Sequence, residues 1–311
     1  MHPGGAVLYS VGNVRGEPSV SAFRVERVDG RPRLQPMGSQ PVGDGGAAHL
    51  ATDRSGKVLM TAQYGGGSVA VFPLGEDGSI GPRSHLAEHS HASGVLASRQ
   101  EAPHPHWVGT SPDNRFVFVP DLGADRVLIY RLDTEAAKLS EHGYAETPPG
   151  GGPRHMKFSP DGRFAYVLNE LILSVTVFGY DADAGTMATV QTIETLPESA
   201  KAKEGFNSAS EVRMHPSGRF LYTANRGNDT VSVFRIDPQD GTLAHVENEP
   251  IRGSWPRNFN LDPTGRWLLA AGRDSNTLTV FAVDGKTGEL AYQTHGSVFV
   301  PSPICVVVVG D

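Results

Sequence analysis

One β-hairpin with the same turn chemistry recurs six times along this chain. Segments such as SPDGRFAYVLNE, HPSGRFLYTANR and DPTGRWLLAAGR each place apolar stretches on both sides of a short polar turn. A glycine or asparagine ends every turn, where a tight hairpin needs a positive φ angle. The six turn residues are spaced 51, 58, 48, 56 and 47 positions apart, at Gly5, Gly56, Asn114, Gly162, Gly218 and Gly265. This regular period restricts the chain to repeat architectures.

A third strand with alternating apolar residues follows each hairpin, and a weaker fourth strand follows the third. The third strands read SVSAFRV, SVAVFPL, RVLIYRL, SVTVFGY, TVSVFRI and TLTVFAV. Four short antiparallel strands in each unit of about 50 residues are typical of a β-propeller blade. A β-sandwich does not explain the period, and no segment longer than about 10 residues has the helical period. The sequence therefore predicts an all-β propeller, formed as a single domain over residues 1–311.

The two ends of the chain raise the question of how the propeller closes. The first unit begins at its hairpin turn and lacks an innermost strand, whereas PICVVVV at Pro303–Val309 has the character of an innermost strand without a hairpin. A propeller has to close its ring or leave an exposed sheet edge. Either the last strand completes the first unit and gives six blades, or a seventh blade uses about 50 residues that precede this sequence.

The charge and the cysteine content exclude several classes of function. The chain has 27 Lys and Arg against 34 Asp and Glu, a net charge of −7, and the charges are interspersed. Nucleic acid and membranes are therefore not expected as partners. The one cysteine, Cys305, rules out a disulfide framework, and its apolar strand indicates a buried core residue. Because no run of 18 apolar residues and no signal-peptide pattern is present, the expected location is the cytoplasm.

The sequence contains no motif for a cofactor or for a nucleophilic serine. It has no G-x-S-x-G elbow, no P-loop, and no dinucleotide G-x-G-x-x-G between a strand and a helix. The stretch HLAEHSH holds four side chains that could bind a metal, but it is predicted to be part of a long loop: His85, Glu88, His89 and His91. We therefore expect neither a metal nor a cofactor.

Polar side chains collect where the first strand of a unit starts and where the second strand ends. These two points are neighbours, because the two strands are antiparallel. The strand starts carry His49, His106, Arg154, His155, Glu211 and Arg257, and the strand ends carry Asn169, Glu170, Arg226 and Arg273. Converging Arg, His and Glu side chains on a rigid scaffold are typical of a small-molecule site. Ion pairs in a propeller channel can also be purely structural.

The repeated hairpins and their strand ends resemble the seven-bladed lactonase family, which includes propeller-type 6-phosphogluconolactonases and fungal carboxy-cis,cis-muconate cyclases. Four motifs in order carry the resemblance, which runs from the first residues to Val309: PHPHWVGTSPDNRFVFVPDLGADRV, GGGPRHMKFSPDGRFAYVLNEL, EVRMHPSGRFLYTANRGNDTVSVF and PRNFNLDPTGRWLLAAGRDSNTLTVF. It implies a catalytic set at His106, Arg154, Glu170 and Arg226, and a small anionic lactone as substrate, with 6-phosphogluconolactone expected. The other polar strand-end residues are expected to contact the substrate: His49, His155, Asn169, Glu211, Arg257 and Arg273.

Hydrolysis of a lactone needs an activated water and a group that stabilises the tetrahedral oxyanion. Arg154 and Arg226 suit the second task and the binding of an anionic substrate. Either Glu170 or His106 would be the general base. Neighbouring arginines weaken a carboxylate as a base, and the residues do not decide between the two. A preference for a phosphorylated substrate would require a further cation, for which the candidates are Arg257 and Arg273.

Two other functions stay open at this point. The same four residues could move a proton in a cyclisation that forms a lactone, as the resemblance to the muconate cyclases implies. A propeller without catalysis could instead bind a ligand or a protein on its face, and would then be expected to expose aromatic anchors. The three tryptophans fall in or near predicted strands and are expected to be buried in the core: Trp107, Trp255 and Trp267.

Overall fold

The computed structural model describes residues 1–203 and 205–309, and nearly all of its regular structure is β. The described strands form six antiparallel sheets, one with three strands and five with four. One short helix is present in the described residues, α1 (Glu198–Lys201). The chain divides into two compact units: unit 1 contains Met1–Pro153 and Ala182–Thr186, and unit 2 contains Arg154–Asp181 and the residues from Met187 onward. The single domain over residues 1–311 stays a prediction.

Unit 1 holds the first three sheets. As the sequence predicts, the first sheet lacks an innermost strand and consists of β1 (Val7–Val14), β2 (Glu17–Val28) and β3 (Arg31–Pro41). The second sheet consists of β4 (Ala47–Thr52), β5 (Val58–Gln63), β6 (Ser68–Pro73) and β7 (His85–Glu88). The third consists of β8 (Gly109–Thr110), β9 (Phe116–Asp121), β10 (Arg126–Asp133) and β11 (Lys138–Glu146). The prediction that HLAEHSH is a loop is wrong for its first four residues, because they form β7.

Unit 2 holds the other three sheets, apart from Pro153 and Thr186. The fourth sheet consists of β12 (Pro153–Phe158), β13 (Phe164–Asn169), β14 (Ser174–Asp181) and β15 (Thr186–Glu194). The fifth consists of β16 (Ser208–Met214), β17 (Phe220–Arg226), β18 (Thr230–Ile236) and β19 (Leu243–Pro250). The sixth consists of β20 (Pro256–Leu261), β21 (Trp267–Gly272), β22 (Thr277–Val283) and β23 (Leu290–Phe299). Each of these three sheets pairs its strands in sequence order.

The turns predicted from the six sequence repeats have the expected backbone conformation. Their six glycine and asparagine residues all have φ between 65° and 74°. Asn114 is the one non-glycine among them and is a residue type that tolerates this region. The hairpin is therefore confirmed at five of the six positions, whereas at Gly5 the turn conformation is present but no strand precedes it in the described residues.

Within each unit, the apolar faces of neighbouring sheets pack against each other. In unit 2 one core cluster joins Tyr166 and Leu168 of β13 to Val212 of β16 and Phe234 of β18. In unit 1 a cluster joins the second sheet to the third, and another joins the first to the second. Burial of each such aromatic or branched side chain contributes about 1.5–3 kcal/mol. Three buried tyrosines also donate to a glycine carbonyl of the neighbouring sheet's outer turn, in the pairs Tyr9–Gly78, Tyr166–Gly241 and Tyr222–Gly288.

The C-terminal segment differs from the prediction of an innermost strand. Within the described residues, Pro303–Val309 joins no strand ladder. Two side-chain amides of β20 hold it instead: Asn258 Oδ1 accepts from the Val306 N–H at 2.8 Å, and Asn260 Nδ2 donates to the Val306 carbonyl at 3.0 Å. Cys305 is exposed, so its prediction as a buried core residue is wrong. How the sheets close stays a prediction.

The three tryptophans do not share one environment. Trp107 is buried, Trp255 is partly buried, and Trp267 on β21 is 39 % exposed. The prediction that all three lie in the core is therefore wrong for Trp267. Among the described residues, no helix has the length and apolar character required to cross a bilayer.

Candidate active site

The start of β12 and the end of β13 bring an arginine and a glutamate together in unit 2. Arg154 is the second residue of β12, and Glu170 directly follows the last residue of β13. Arg154 Nη1 donates to Glu170 Oε2, and Nη2 of Arg226, the last residue of β17, lies 3.0 Å from Glu170 Oε1. Each carboxylate oxygen therefore faces its own guanidinium group. We call Arg154, Glu170 and Arg226 the arginine–glutamate cluster.

Backbone groups of β16 hold both guanidinium groups in position. Arg154 Nε donates to the Ser210 carbonyl at 2.7 Å, and Arg226 Nη2 donates to the Ala209 carbonyl at 2.7 Å. The Ala209 N–H in turn donates to the Glu170 carbonyl at 3.0 Å. The cluster is thus anchored on fixed strand backbone as well as on side-chain pairing. Such support is what a pre-organised binding site requires.

The arginine–glutamate cluster is buried and carries a surplus positive charge. Arg154, Glu170 and Arg226 are 4 %, 2 % and 5 % exposed, respectively, and two guanidinium groups share one carboxylate. Burial lowers the pKa of Arg226 to about 9, with a further contribution from Arg154, so this group stays protonated at neutral pH. A buried Arg–Glu–Arg triad can also be purely structural. The charge count alone therefore does not identify a site.

One hydrogen-bond donor of the cluster is unused. Arg226 Nε is buried and has no acceptor among the described residues. A buried donor without a partner costs about 1–3 kcal/mol, and purely structural networks generally avoid that cost. An unused N–H beside a surplus positive charge is suited to an oxyanion or to an anionic ligand oxygen.

A tryptophan in an uncommon backbone conformation lies against the cluster. Trp255 directly precedes β20 and has a φ of 60°, which is rare for a bulky residue. Asp229 Oδ1 accepts from its N–H at 2.8 Å. The centre of a Trp255 ring lies 5.7 Å from Cζ of Arg226 and 5.1 Å from Cζ of Arg273. Backbone strain of this kind tends to occur at functional sites.

A second buried network surrounds Glu211 on β16. Its Oε1 faces His155 Nδ1 at 3.0 Å and accepts from the Val212 N–H at 3.0 Å, while Oε2 accepts from Arg213 at 3.2 Å and from Asn258 at 2.5 Å. Burial opposes ionisation of Glu211, but Arg213, His155 and Lys157 together outweigh it and hold the pKa of Glu211 well below the usual value. Burial lowers the pKa of His155 to about 4, so its ring is neutral at pH 7. Both residues have structural partners, and their predicted contact with substrate stays a prediction.

Two further residues expected to contact substrate have partners of their own. Asn169 donates to Ser174 Oγ and to Thr176 Oγ1, each at 2.9 Å, within its own sheet. Arg273 Nε pairs with Asp274 Oδ1 at 2.6 Å. Their roles as substrate contacts therefore stay predictions, and the geometry gives both of them a structural task.

Two of the three histidines predicted for the site, His49 and His106, lie in unit 1. His106 is buried, and its backbone N–H donates to the Pro120 carbonyl at 3.0 Å. The centre of its ring lies 5.5 Å from that of Tyr64 in an edge-on arrangement. His49 on β4 lies 5.4 Å from the ring of Trp107. Because aromatic neighbours hold both rings, each has a restricted orientation. The described residues contain no group of three or more His, Cys, Asp or Glu arranged to hold a metal ion.

Several parts of the site are absent from the sequence prediction. The carbonyls of Ala209 and Ser210 carry no sequence signal, because any residue presents a backbone carbonyl. Arg213 lies two residues after Glu211, on the same side of a strand, and that spacing could have indicated their pairing. Trp255 precedes a proline, which favours an extended backbone and gave no sign of its positive φ.

Unit 2 also has a groove away from these strand ends. It has a volume of about 500 Å³ and lies among the hairpin turns, with Pro160, Gly218 and Asp237 in its lining. Two of its three arginines, Arg163 and Arg219, bond to neighbouring turn residues. We place the candidate site at the arginine–glutamate cluster because that is where surplus charge and an unused donor occur together.

Comparison with protein families identifies the group to which this chain is related. The family described as "Lactonase, 7-bladed beta-propeller" matches residues 1–308, which is nearly the whole sequence. The chain belongs to this family. Membership confirms the all-β propeller predicted from the repeat and the resemblance noted in the sequence.

Individual relatives are consistent with that membership. The 6-phosphogluconolactonase of Bacillus subtilis is 34% identical over 256 residues, which cover 82% of this chain and 71% of the relative. The 6-phosphogluconolactonase of Pectobacterium carotovorum is 36% identical over 250 residues, covering 77% of this chain and 68% of the relative. Among solved structures, the periplasmic gluconolactonase of Pseudomonas aeruginosa is 34% identical with a TM-score of 0.88, covering 98% of this chain and 86% of that one.

Proposed function

We propose that this chain is a lactone hydrolase whose substrate is 6-phosphogluconolactone. The observation that carries the proposal is the arginine–glutamate cluster, with its surplus positive charge and the unused Arg226 Nε. Relatives named 6-phosphogluconolactonase at 34% and 36% identity support the substrate. A cytoplasmic location is part of the proposal, because a phosphorylated sugar lactone is charged and does not cross a lipid bilayer readily.

In the proposed reaction a water oxygen bonds to the lactone carbonyl carbon and loses a proton to a base. The carbonyl oxygen becomes an oxyanion, which the guanidinium groups of Arg154 and Arg226 stabilise. The ring C–O bond then breaks, the ring oxygen takes the proton from the base and leaves as the new hydroxyl, and the acid that forms loses its proton to solvent. The product is the open-chain carboxylate. Hydrogen-bond donors held in fixed positions suit this step, because they do not have to reorient as negative charge develops on the carbonyl oxygen.

We assign the general base to His106 rather than to Glu170. Both oxygens of Glu170 are engaged by guanidinium groups, so neither oxygen is open to an attacking water. Glu170 is then a positioning residue that orients Arg154 and Arg226. His106 is the remaining member of the set that the family resemblance implies, and histidine is the side chain most often used for this task at neutral pH.

The purified protein is expected to accelerate hydrolysis of freshly generated 6-phosphogluconolactone above the spontaneous background. Release of the acid would be followed at constant pH, with heat-treated protein as the control. A folded protein that leaves the background rate unchanged would refute the proposed substrate. Glucono-1,5-lactone is measured in parallel, because the similar Pseudomonas aeruginosa structure is named a gluconolactonase. Faster turnover of that unphosphorylated lactone would favour it as the substrate.

Substitution His106→Asn is expected to lower kcat by about 10²–10⁴-fold, the usual contribution of a general base. The pH dependence of the remaining activity should lose the inflection that His106 produces in the wild type. His142→Asn is the matched control, because that histidine lies on an exposed strand and bonds a turn carbonyl. Equal loss in both variants, or an unchanged pH profile in His106→Asn, would remove His106 from the role of base.

A further inference from the structure

Arg257 lies at a bulge in β20, beside the arginine–glutamate cluster. Pro256 pairs with Gly272 and Asn258 with Ala271, so Arg257 is an extra residue with no partner across the ladder. Such a bulge redirects a side chain and is common next to functional sites. The peptide that precedes Arg257 is linked to the cluster: Ser210 Oγ donates to the Pro256 carbonyl at 2.5 Å, and the Ser210 carbonyl accepts from Arg154.

Arg257 forms no ion pair of its own in the part of the chain that the structure describes. The carboxylates close to the cluster are taken by other groups: Glu170 by Arg154 and Arg226, and Asp274 by Arg273. Burial lowers the pKa of Arg257, the nearby charge of Arg154 lowers it further, and the charge of Glu170 offsets only part of this. A partly buried cation next to other cations is costly unless an anion binds there.

Arg273 is the other arginine that could supply a cation to a phosphate, and its surroundings are different. Its Nε and Nη2 atoms lie 2.6 and 3.2 Å from the Asp274 carboxylate oxygens, and its guanidinium lies over the Trp255 ring. The neighbouring carboxylate largely neutralises Arg273. Arg257 is therefore the arginine with charge and hydrogen-bond donors to spare.

We propose that Arg257 is the residue with which this site selects a phosphorylated lactone over its unphosphorylated counterpart; this rests on the proposed function. A phosphate monoester carries a charge of about −1.5 to −2 at pH 7 and offers three acceptor oxygens. The planar guanidinium fork matches two of them. The cluster would then act on the lactone carbonyl while Arg257 pairs with the phosphate at the other end of the sugar. With the tasks divided in this way, Arg257 gives the site a preference for the phosphorylated lactone that the arginine–glutamate cluster alone does not provide.

The test compares kcat/KM for 6-phosphogluconolactone with kcat/KM for glucono-1,5-lactone in four proteins. These are the wild type, Arg257→Ala, Arg273→Ala and, as the matched control, Arg252→Ala, which removes an exposed arginine paired with Glu249. Arg257→Ala is expected to lower the preference for the phosphorylated lactone by about 10–100-fold, mostly through KM, as loss of a charge-assisted pair would. Arg252→Ala should keep the wild-type preference. Competitive inhibition by inorganic phosphate should weaken in Arg257→Ala by a similar factor.

The outcomes separate this inference from the proposed function. If the wild type accelerates neither lactone, the proposed function fails. If it prefers the phosphorylated lactone and Arg257→Ala keeps that preference, the function stands and the assignment of Arg257 is wrong. Loss of the preference in Arg273→Ala alone, or an equal loss for both lactones in Arg257→Ala, would also overturn the assignment. Should Arg257→Ala not fold, Arg257→Gln is measured with the same expectation.

Discussion

Substitution Arg154→Ala is expected to lower kcat/KM for 6-phosphogluconolactone by about 10²–10³-fold, the loss seen when one oxyanion donor is removed. Arg154 is fixed by Glu170 and by the Ser210 carbonyl, so its guanidinium group is held in place before substrate arrives. The loss should appear mainly in kcat, because the donor acts on charge that develops in the transition state. Initial rates with the background subtracted measure it directly.

The same substitution also has a structural cost, which the assay has to separate from catalysis. Arg154→Ala leaves the buried Ser210 carbonyl without its donor, at a cost of about 1–3 kcal/mol. Arg154→Lys keeps the charge but loses the planar fork, so we expect better stability than in the alanine variant and still a large loss of activity. Arg163→Ala, in the exposed turn of the same hairpin, is the control and should keep wild-type activity. Near-full activity in a folded Arg154→Ala protein would exclude Arg154 from the mechanism.

Features set by local backbone chemistry could be predicted from the sequence. The turn glycines and Asn114 adopt positive φ because the two-strand hairpin requires it, whatever packs around them. The meeting of Arg154 and Glu170 also follows from local geometry, since the start of one strand adjoins the end of its antiparallel neighbour. The repeat and the strand-end residues therefore predicted the fold and the contact between Arg154 and Glu170, whereas the role of these residues as a site stays a prediction.

Features set by contacts distant in sequence could not be predicted in this way. Glu211 in the first strand of its sheet and Glu170 after the second strand of its sheet were both predicted for the site, yet four donors satisfy Glu211 and two arginines hold Glu170. The side chains on neighbouring strands, which are distant in sequence, determine which partners each glutamate has. The segment around Cys305 has strong strand propensity, but side-chain amides of β20 hold it in place of a ladder. Propensity describes a tendency of the backbone and does not specify a partner.

Removal of the shared negative charge by Glu170→Gln is expected to destabilise the protein by about 3–5 kcal/mol, the usual cost of breaking a buried ion pair on one side. The substitution keeps the shape of the side chain but leaves two buried guanidinium groups without a counter-charge. It also replaces one of the two acceptor oxygens by an NH₂ donor, which then faces one of the two guanidinium groups. Urea unfolding measures the change in free energy. Glu198→Gln is the control, because that carboxylate is 79% exposed and pairs with Lys201 at the surface, where such pairs contribute about 0–1 kcal/mol.

A double variant distinguishes the structural task of Glu170 from its task in the reaction. In Glu170→Gln with Arg226→Gln, one buried positive charge is removed along with the negative one, so the net charge of the cluster returns to that of the wild type. We expect part of the stability to return, while hydrolysis stays as low as in Glu170→Gln because the donors no longer have their fixed orientation. If Glu170→Gln is as stable as wild type, the two guanidinium groups do not depend on this carboxylate. If the double variant regains activity together with stability, the cluster is structural and the oxyanion is stabilised elsewhere.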